Sequence, residues 1–153
     1  MSSIPISGPG LGLRIANEDH KMTAEEACTK GDVMAVKQSV STVNGIADTF
    51  DTVMDPNAAN DAVDGIDIGI MCVALQDCDA GESGMFRFRG IVEALGGDTT
   101  AVGLFLEAGT NGKLVVASAA EKTVAIAMET MADGVLKRVM FDGFNGFSGV
   151  ATD

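Results

Sequence analysis

Alternation of apolar and polar side chains is clearest over residues 85–92, which read MFRFRGIV. Phe86 and Phe88 would lie on one side of an extended strand, with Arg87 and Arg89 on the other, as in a half-buried antiparallel strand. Shorter runs of the same kind follow, separated by turn residues at intervals of about 8–12 residues, which is typical of small sandwiches and barrels. The pattern therefore predicts a mainly β protein, built as a small antiparallel β-barrel or sandwich.

The predicted strands lie between groups of residues that favour turns. They cover residues 32–38, 47–54, 68–75, 84–95, 102–108, 113–118, 123–129 and 135–141. Asn111 and Gly112 predict a tight hairpin, because both residues accept positive φ. Further turns are predicted around Gly81 and Gly134, each of which follows Asp residues closely in the chain.

One or two short helical turns are also expected. Thr23 is followed three residues later by Glu26, which is the spacing of a capping box, so a single helical turn ending before Gly31 is predicted. A second turn is predicted over residues 118–122, which read SAAEK.

The chain divides into an arm and a body. Residues 1–22 are rich in Gly and Pro and lack a sustained pattern, which predicts an extended N-terminal arm. Residues 23–153 form the β-rich body, with an acidic, loop-like insertion at about 39–67. We expect the apolar residues of the arm to lie on a partner or a neighbouring subunit. The alternative is an arm that packs on its own domain or frays. The residues concerned are Ile4, Pro5, Ile6, Leu11 and Leu13.

Composition limits the classes of partner. The 153 residues carry a formal net charge of -12, and the ten basic residues form no cluster in the sequence. Binding to nucleic acid or to anionic membranes is therefore not expected, because both depend on concentrated Lys and Arg. Three cysteines without a CxxC pair, together with one His, predict buried or free thiols rather than a zinc site or a disulfide framework.

The sequence carries no recognisable catalytic or cofactor-binding motif. His20 stands in the predicted arm between charged residues, without a setting that would position it as a base. The glycine-rich residues 8–12 have neither the preceding strand nor the Lys-Ser/Thr of a phosphate-binding loop. The acidic insertion does not match a calcium-binding loop and is read as solvated. We therefore predict no enzyme activity, no cofactor and no metal site.

Four residues of the body are candidates for an interface. Arg87 and Arg89 share a strand face and could clamp a carboxylate of a partner, although the polar face of a strand is the favoured interpretation. Phe144 and Phe147 lie in the Gly-rich C-terminal segment, where covering the core and contacting another subunit are equally good interpretations.

The order of short motifs in the body resembles the small β-rich capsid decoration, or cement, proteins of tailed bacteriophages. A strand ending in Ala-Leu is followed by a Gly-Glu turn, a strand with a central Gly, a hairpin, and a late strand ending in Ala-hydrophobic-Glu. These features occupy residues 73–75, 79–82 (DAGE), 88–92 (FRGIV), 109–114, 123–129 (TVAIAME) and 132–135 (ADGV). Two departures are Ala125, where a Gly is common, and the acidic insertion.

The resemblance implies a structural protein of the virion that binds the outer surface of the capsid after synthesis in the host cytoplasm. Its implied partners are the major capsid protein and itself, as a homotrimer, and its implied role is to stabilise contacts between capsid subunits. The alternative is a small-ligand or carbohydrate-binding β module, such as a head-fibre or receptor-binding domain. An enzyme using Asp77, Asp79 and Glu82 is a third choice, since paired carboxylates can act as acid and base.

Overall fold

The computed structural model describes residues 16–38, 52–54, 56, 66–109, 112–118 and 123–147. Within these residues the chain forms strands joined by turns, and the prediction of a mainly β protein is confirmed. The strands are β1 Glu18–Ala24, β2 Val33–Gln38, β3 Thr52–Met54, β4 Ile66–Ala74, β5 Ser83–Leu95, β6 Phe105–Ala108, β7 Leu114–Val116, β8 Ala125–Ala127 and β9 Leu136–Asp142. In this part of the chain no helix is long and apolar enough to cross a membrane.

The first five strands form a closed barrel. β2 pairs with β3 and β4, β4 pairs with the first part of β5, and all of these contacts are antiparallel. β1 closes the ring, because it pairs with β5 on one side and lies parallel to β3 on the other. Closure gives each of the five strands two neighbours, so this barrel has no free sheet edge of the kind that invites aggregation.

The remaining strands repeat this arrangement and share β5 with the first barrel. β9 pairs with the second part of β5, β8 with β9, β6 with β8, and β7 with β6, in each case antiparallel. A parallel bridge joins Gly96, just after β5, to Leu114 in β7. The last strand of this series thus lies beside the end of β5, where the series began. The order of pairings matches the first barrel step by step, including its one parallel contact. The fold is therefore an internal repeat of one five-stranded unit.

Each unit contains two copies of the same turn. In each copy, an Ala or Gly is followed four positions later by a residue that forms an isolated β-bridge. Three positions after that comes a glycine with positive φ. The glycines are Gly31 (φ 94), Gly81 (φ 86), Gly103 (φ 86) and Gly134 (φ 73). In each copy the residue after the glycine donates its amide to the carbonyl three residues before it. Positive φ at the third position of such a turn favours glycine, because it has no Cβ to clash.

The two turns of a unit hold each other. In the first unit the Gly31 amide donates to the Ala74 carbonyl at 2.8 Å, and the Gly81 amide donates to the Ala24 carbonyl at 2.7 Å. The second unit repeats these bonds, from Gly103 to Ala127 at 2.8 Å and from Gly134 to Gly96 at 2.9 Å. Each pair of turns is thus related by an approximate twofold.

Two hydrophobic clusters fill the interior, one within the first unit and one that joins the second unit to Val33 and Val73 of the first. One contains Phe86 and Phe88 with residues of β1, β2, β3 and β4, and the other is centred on Leu106, Val139 and Phe141. Phe86 is fully buried, so truncation of its side chain would leave a large cavity inside the first barrel. β5 reaches both clusters because its inward side chains alternate along thirteen residues.

Several predictions from the sequence need correction. The arm was predicted to extend to residue 22, but residues 18–22 belong to β1 and pair with β5. The helical turn predicted at Thr23 does not form, because Ala24 remains in β1 and is buried in the barrel. Strand β6 begins at Phe105 rather than at residue 102, since Gly103 occupies a turn. Residues 1–15, most of the acidic insertion and residues 119–122 lie outside the described part of the chain.

Candidate interaction surface

The two units share β5, and Gly90 lies near the middle of this strand. Gly90 has φ 127, and a Cβ at this position would overlap the Asn17 side chain. Glycine therefore permits both the positive φ and the close approach of the chain before β1. The outward side chains around Gly90 are Arg87, Arg89 and Ile91, and the first two were candidates from the sequence.

Arg87 binds a carboxylate of its own chain. Its Nε donates to Asp19 Oδ1 at 2.7 Å and its Nη2 donates to Asp19 Oδ2 at 3.0 Å, which is a bidentate pair across the closing strands of the first barrel. Its Nη1 donates to the Ile91 carbonyl at 2.8 Å. The hydrogen bonds from Arg87 hold the pKa of Asp19 below its usual range. Arg87 thus fixes β1 to β5.

Arg89 makes different contacts, and its side chain is more exposed than that of Arg87, at 40% against 19%. Its Nε lies 3.6 Å from Asp142 Oδ2, and its guanidinium carbon is 5.6 Å from the centre of the Phe144 ring. Asp142 also accepts the Phe144 amide at 3.0 Å and the Asn145 amide at 3.1 Å through Oδ1, so it shapes the turn that carries the ring. A cation above an aromatic face is attractive by about 0.5–1 kcal/mol at exposed sites.

A row of aromatic rings continues from this cation to the end of the first barrel. Phe144 stacks on Phe88 at 5.4 Å between ring centres, and the His20 ring contacts the same Phe88 edge-on at 5.3 Å. Phe88 is buried, whereas His20 is exposed and Phe144 is half-buried. Phe144 thus covers the core of the first barrel and still presents part of its ring to solvent. We call Arg89, Asp142, Phe144 and His20 the junction surface.

A cleft of about 330 Å³ lies beside β5, along its residues 87–93. Its lining comprises Lys30, Leu75, Arg87, Ile91, Val92, Glu93 and Arg138. Lys30 Nζ lies 3.4 Å from Glu93 Oε1, and Arg138 Nε lies 3.2 Å from Glu129 Oε2. Each cation of this cleft is therefore paired with a carboxylate of the same chain, and Glu93 itself belongs to the lining.

Some of the interface candidates from the sequence lie together in the structure, and others do not. Arg89 and Phe144 come into contact, Arg87 lies two positions away on the same face, and Phe147 is half-buried, with its amide donating to the Thr123 carbonyl at 2.9 Å. The candidates Ile4, Pro5, Ile6, Leu11 and Leu13 lie outside the described residues. Sequence reasoning missed that His20 joins this surface, and the β-strand alternation of residues 18–24 is too weak to have revealed it.

The acidic residues considered for catalysis have structural partners in their turn. Asp77 Oδ1 accepts the Lys30 amide at 2.8 Å, and Glu82 Oε1 accepts the Asp79 amide at 2.7 Å. Both carboxylates therefore satisfy backbone donors of the paired turns. Among the described residues, no group of three or more His, Cys, Asp or Glu side chains is placed to hold a metal ion.

Comparison with known proteins gives a structural similarity but no sequence family. No protein-family model matches the chain, and no curated protein matches it. A crystal structure of the head fiber gp8.5 N base of bacteriophage phi29 is similar, with a TM-score of 0.57 and 17% sequence identity. The similarity covers 88% of this chain and all of that one. This chain shares the fold of a head-fibre base.

Proposed function

We propose that this protein is a structural component of a bacteriophage head, bound to the outer surface of the capsid, where it stabilises contacts between major capsid subunits. The observation that carries the proposal is the similarity to the phi29 head fibre base, which extends over the whole of that chain. The motif order that resembles capsid decoration proteins leads independently to the same class of particle. A role in binding rather than in catalysis is part of the proposal.

Physical properties of the chain are compatible with this role. A closed barrel with a second unit on the shared β5 gives a rigid body, because main-chain pairing surrounds the first ring completely. The net charge of -12 disfavours contact with DNA and suits a protein on the outside of a DNA-filled shell. The virion surface, the major capsid protein and a homotrimeric assembly remain the proposed location and partners.

The junction surface is the part of the described structure that we assign to capsid or subunit contact. Arg89 has a side chain that is 40% exposed beside a half-buried ring, so a cation and an apolar face are presented together. Aromatic and Arg side chains are enriched at protein interfaces for this reason.

A second candidate is the base of a head fibre, because the similar structure carries that description. Both candidates place the protein on a phage head, but they differ in what the outer end holds. A decoration protein joins neighbouring capsid subunits, whereas a fibre base connects the head to a longer polypeptide. Pull-down of a fibre polypeptide from phage lysate together with this protein would favour the second candidate.

Co-sedimentation with empty heads tests the proposal. Purified protein is mixed with heads assembled from the major capsid protein of the same virus and lacking this protein. We expect saturable binding, weakened at least about tenfold in Arg89→Gln combined with Phe144→Ala, since interface anchors of this kind contribute more than about 1 kcal/mol each. Lys113→Gln is the matched control, because among the described residues Lys113 pairs with the exposed Asp133.

Two further variants refine the result. Deleting residues 2–13 tests the predicted arm, and we expect it to weaken binding without unfolding the body. Light scattering with refractive-index detection measures the oligomer, since the chain has no Trp or Tyr to absorb near-ultraviolet light. Failure of the unmodified protein to bind heads would refute the proposed function, whereas a monomer in solution would refute only preassembly of the trimer.

A further inference from the structure

Cys28 and Cys78 face each other at the centre of the paired turns in the first barrel. The Cys28 amide donates to the Cys78 carbonyl at 2.9 Å, and the Cys78 amide donates to the Cys28 carbonyl at 2.9 Å. The two residues therefore form an isolated antiparallel bridge. Each is 4% exposed, and both are free thiols in this structure.

The backbone geometry of this bridge suits a disulfide bond. Residues that exchange both hydrogen bonds in an antiparallel pair have Cα atoms about 5.5 Å apart. Disulfide bonds join residues whose Cα atoms are about 4.4–6.8 Å apart. The Cα spacing expected for this bridge therefore falls within the range that a disulfide bond spans.

The internal repeat provides a comparison within the same chain. In the second unit the equivalent bridge joins Thr100 and Met131, with reciprocal hydrogen bonds of 3.2 and 2.8 Å. The turn therefore forms without cysteine at either position. Cysteine is present at both members of one bridge and at neither member of the other, so the fold itself does not require the thiol pair.

We propose that Cys28 and Cys78 are a site of oxidative cross-linking, which forms an intramolecular disulfide when the protein meets an oxidised low-molecular-weight disulfide. One cysteine thiolate attacks the oxidant, forms a mixed disulfide and releases one small thiol. The other cysteine thiolate then attacks the mixed disulfide and releases the second small thiol. Two thiol protons are lost, the cysteine sulfurs are oxidised, and the small disulfide is reduced to two thiols.

The cross-link would join the two turns that hold the first barrel together. The chain between the two cysteines contains β2, β3 and β4, which are three of the five strands of that ring. Constraining so long a loop in the unfolded chain stabilises the folded state, and we expect the midpoint of thermal unfolding to rise by about 10 °C. The inference is independent of the proposed role on a phage head.

Equilibration during refolding provides a test that does not depend on access to buried thiols. The protein is unfolded in urea and dialysed into a mixture of oxidised and reduced glutathione. Remaining thiols are then blocked with N-ethylmaleimide, and intact and peptide masses are measured. We expect a monomer with one blocked thiol, at Cys72, and a peptide pair linked through Cys28 and Cys78. A rise in thermal midpoint that a reductant reverses should accompany it.

The third cysteine supplies the matched control. Cys72 is also fully buried in the first barrel, but its thiol donates to the Met34 carbonyl at 3.7 Å. Cys72→Ser should therefore retain the cross-link and the rise in thermal midpoint, whereas Cys78→Ser should lose both. Circular dichroism establishes that each variant is folded. Three blocked thiols in the refolded protein, or a link that persists in Cys78→Ser through Cys72, would overturn the proposal.

Discussion

Replacing Asp19 with Asn tests how the first barrel is closed. Asp19 in β1 lies directly opposite Arg87 in β5, and the two side chains are 28% and 19% exposed. The variant keeps the size of the side chain and one acceptor oxygen, but it removes the negative charge. It also leaves the Arg87 guanidinium half-buried without its counter-ion.

The expected loss of stability lies between two known limits. Exposed ion pairs contribute about 0.2–1 kcal/mol, whereas breaking a buried pair costs about 3–5 kcal/mol. The Asp19–Arg87 pair is bidentate and mostly shielded, but Arg87 keeps its bond to the Ile91 carbonyl and can donate to the new amide oxygen. We therefore expect Asp19→Asn to lower the free energy of unfolding by about 1–2 kcal/mol.

The effect should depend on pH in a defined direction. The pKa of Asp19 is lowered in the folded protein, so its ionised form stabilises the fold. This contribution is complete above the unfolded pKa of about 3.9 and is lost as the pH falls through the folded value. The difference between the native protein and Asp19→Asn should therefore be largest near neutral pH and should shrink in acid.

Urea unfolding followed by far-ultraviolet circular dichroism measures both quantities. Asp133→Asn is the control, because Asp133 is 72% exposed and pairs at 3.6 Å with Lys113. We expect the control to change the free energy of unfolding by less than about 0.5 kcal/mol. Equal stability of Asp19→Asn and the native protein at neutral pH would refute the reasoning, as would a difference that stays constant into acid.

Four further predictions concern packing and thiol chemistry. Gly143→Ala should lower the free energy of unfolding by about 3 kcal/mol, because its Cβ would overlap the Met71 carbonyl oxygen. Gly81 has positive φ, at 86°, but a Cβ added there would meet no atom within 4 Å. Gly81→Ala should therefore lower the free energy of unfolding by only about 1 kcal/mol. A urea midpoint lower for Gly81→Ala than for Gly143→Ala would contradict the fold. Phe86→Ala should cost about 3–5 kcal/mol by the same assay, and a loss below about 1 kcal/mol would be incompatible with full burial. Burial raises the pKa of the Cys28 thiol to about 12, so maleimide should label it much more slowly in the folded protein than in urea; equal rates would contradict this burial.

The sequence predicted the strands whose alternation is long and regular. Phe86 and Phe88 point into the barrel while Arg87 and Arg89 point out, because thirteen residues of β5 keep one period. The signal failed at Thr23, where local spacing favours a helical turn but pairing with β5 keeps the chain extended. Tertiary pairing outweighs local propensity in such short segments.

The repeated turn of the first unit is visible only when distant segments are compared. Ala24, Cys28 and Gly31 have the same spacing as Ala74, Cys78 and Gly81, yet the residues between them differ. Hydrophobic alternation cannot reveal that these two turns pair with each other, because the pairing depends on backbone hydrogen bonds between remote parts of the chain. Hydrophobic alternation is equally unable to reveal contacts between remote residues at the candidate site.

The residues at that site show the limit most clearly. Arg87 and Arg89 were identified on one face, but their acidic partners were not. Asp19 and Asp142 reach them from β1 and β9, which are far away in sequence. Pairing of this kind follows from sheet register, and composition carries no information about it. The sequence therefore indicated the face of the strand but not which of the two cations remains accessible.

An electron cryomicroscopy map of heads incubated with the purified protein tests the central proposal most directly. Binding to the outer capsid surface predicts added density outside the shell, into which the first barrel and the second unit fit where neighbouring capsid subunits meet. The junction surface should then face capsid protein or a neighbouring copy of this chain. Heads whose maps are unchanged at saturating protein would contradict the account.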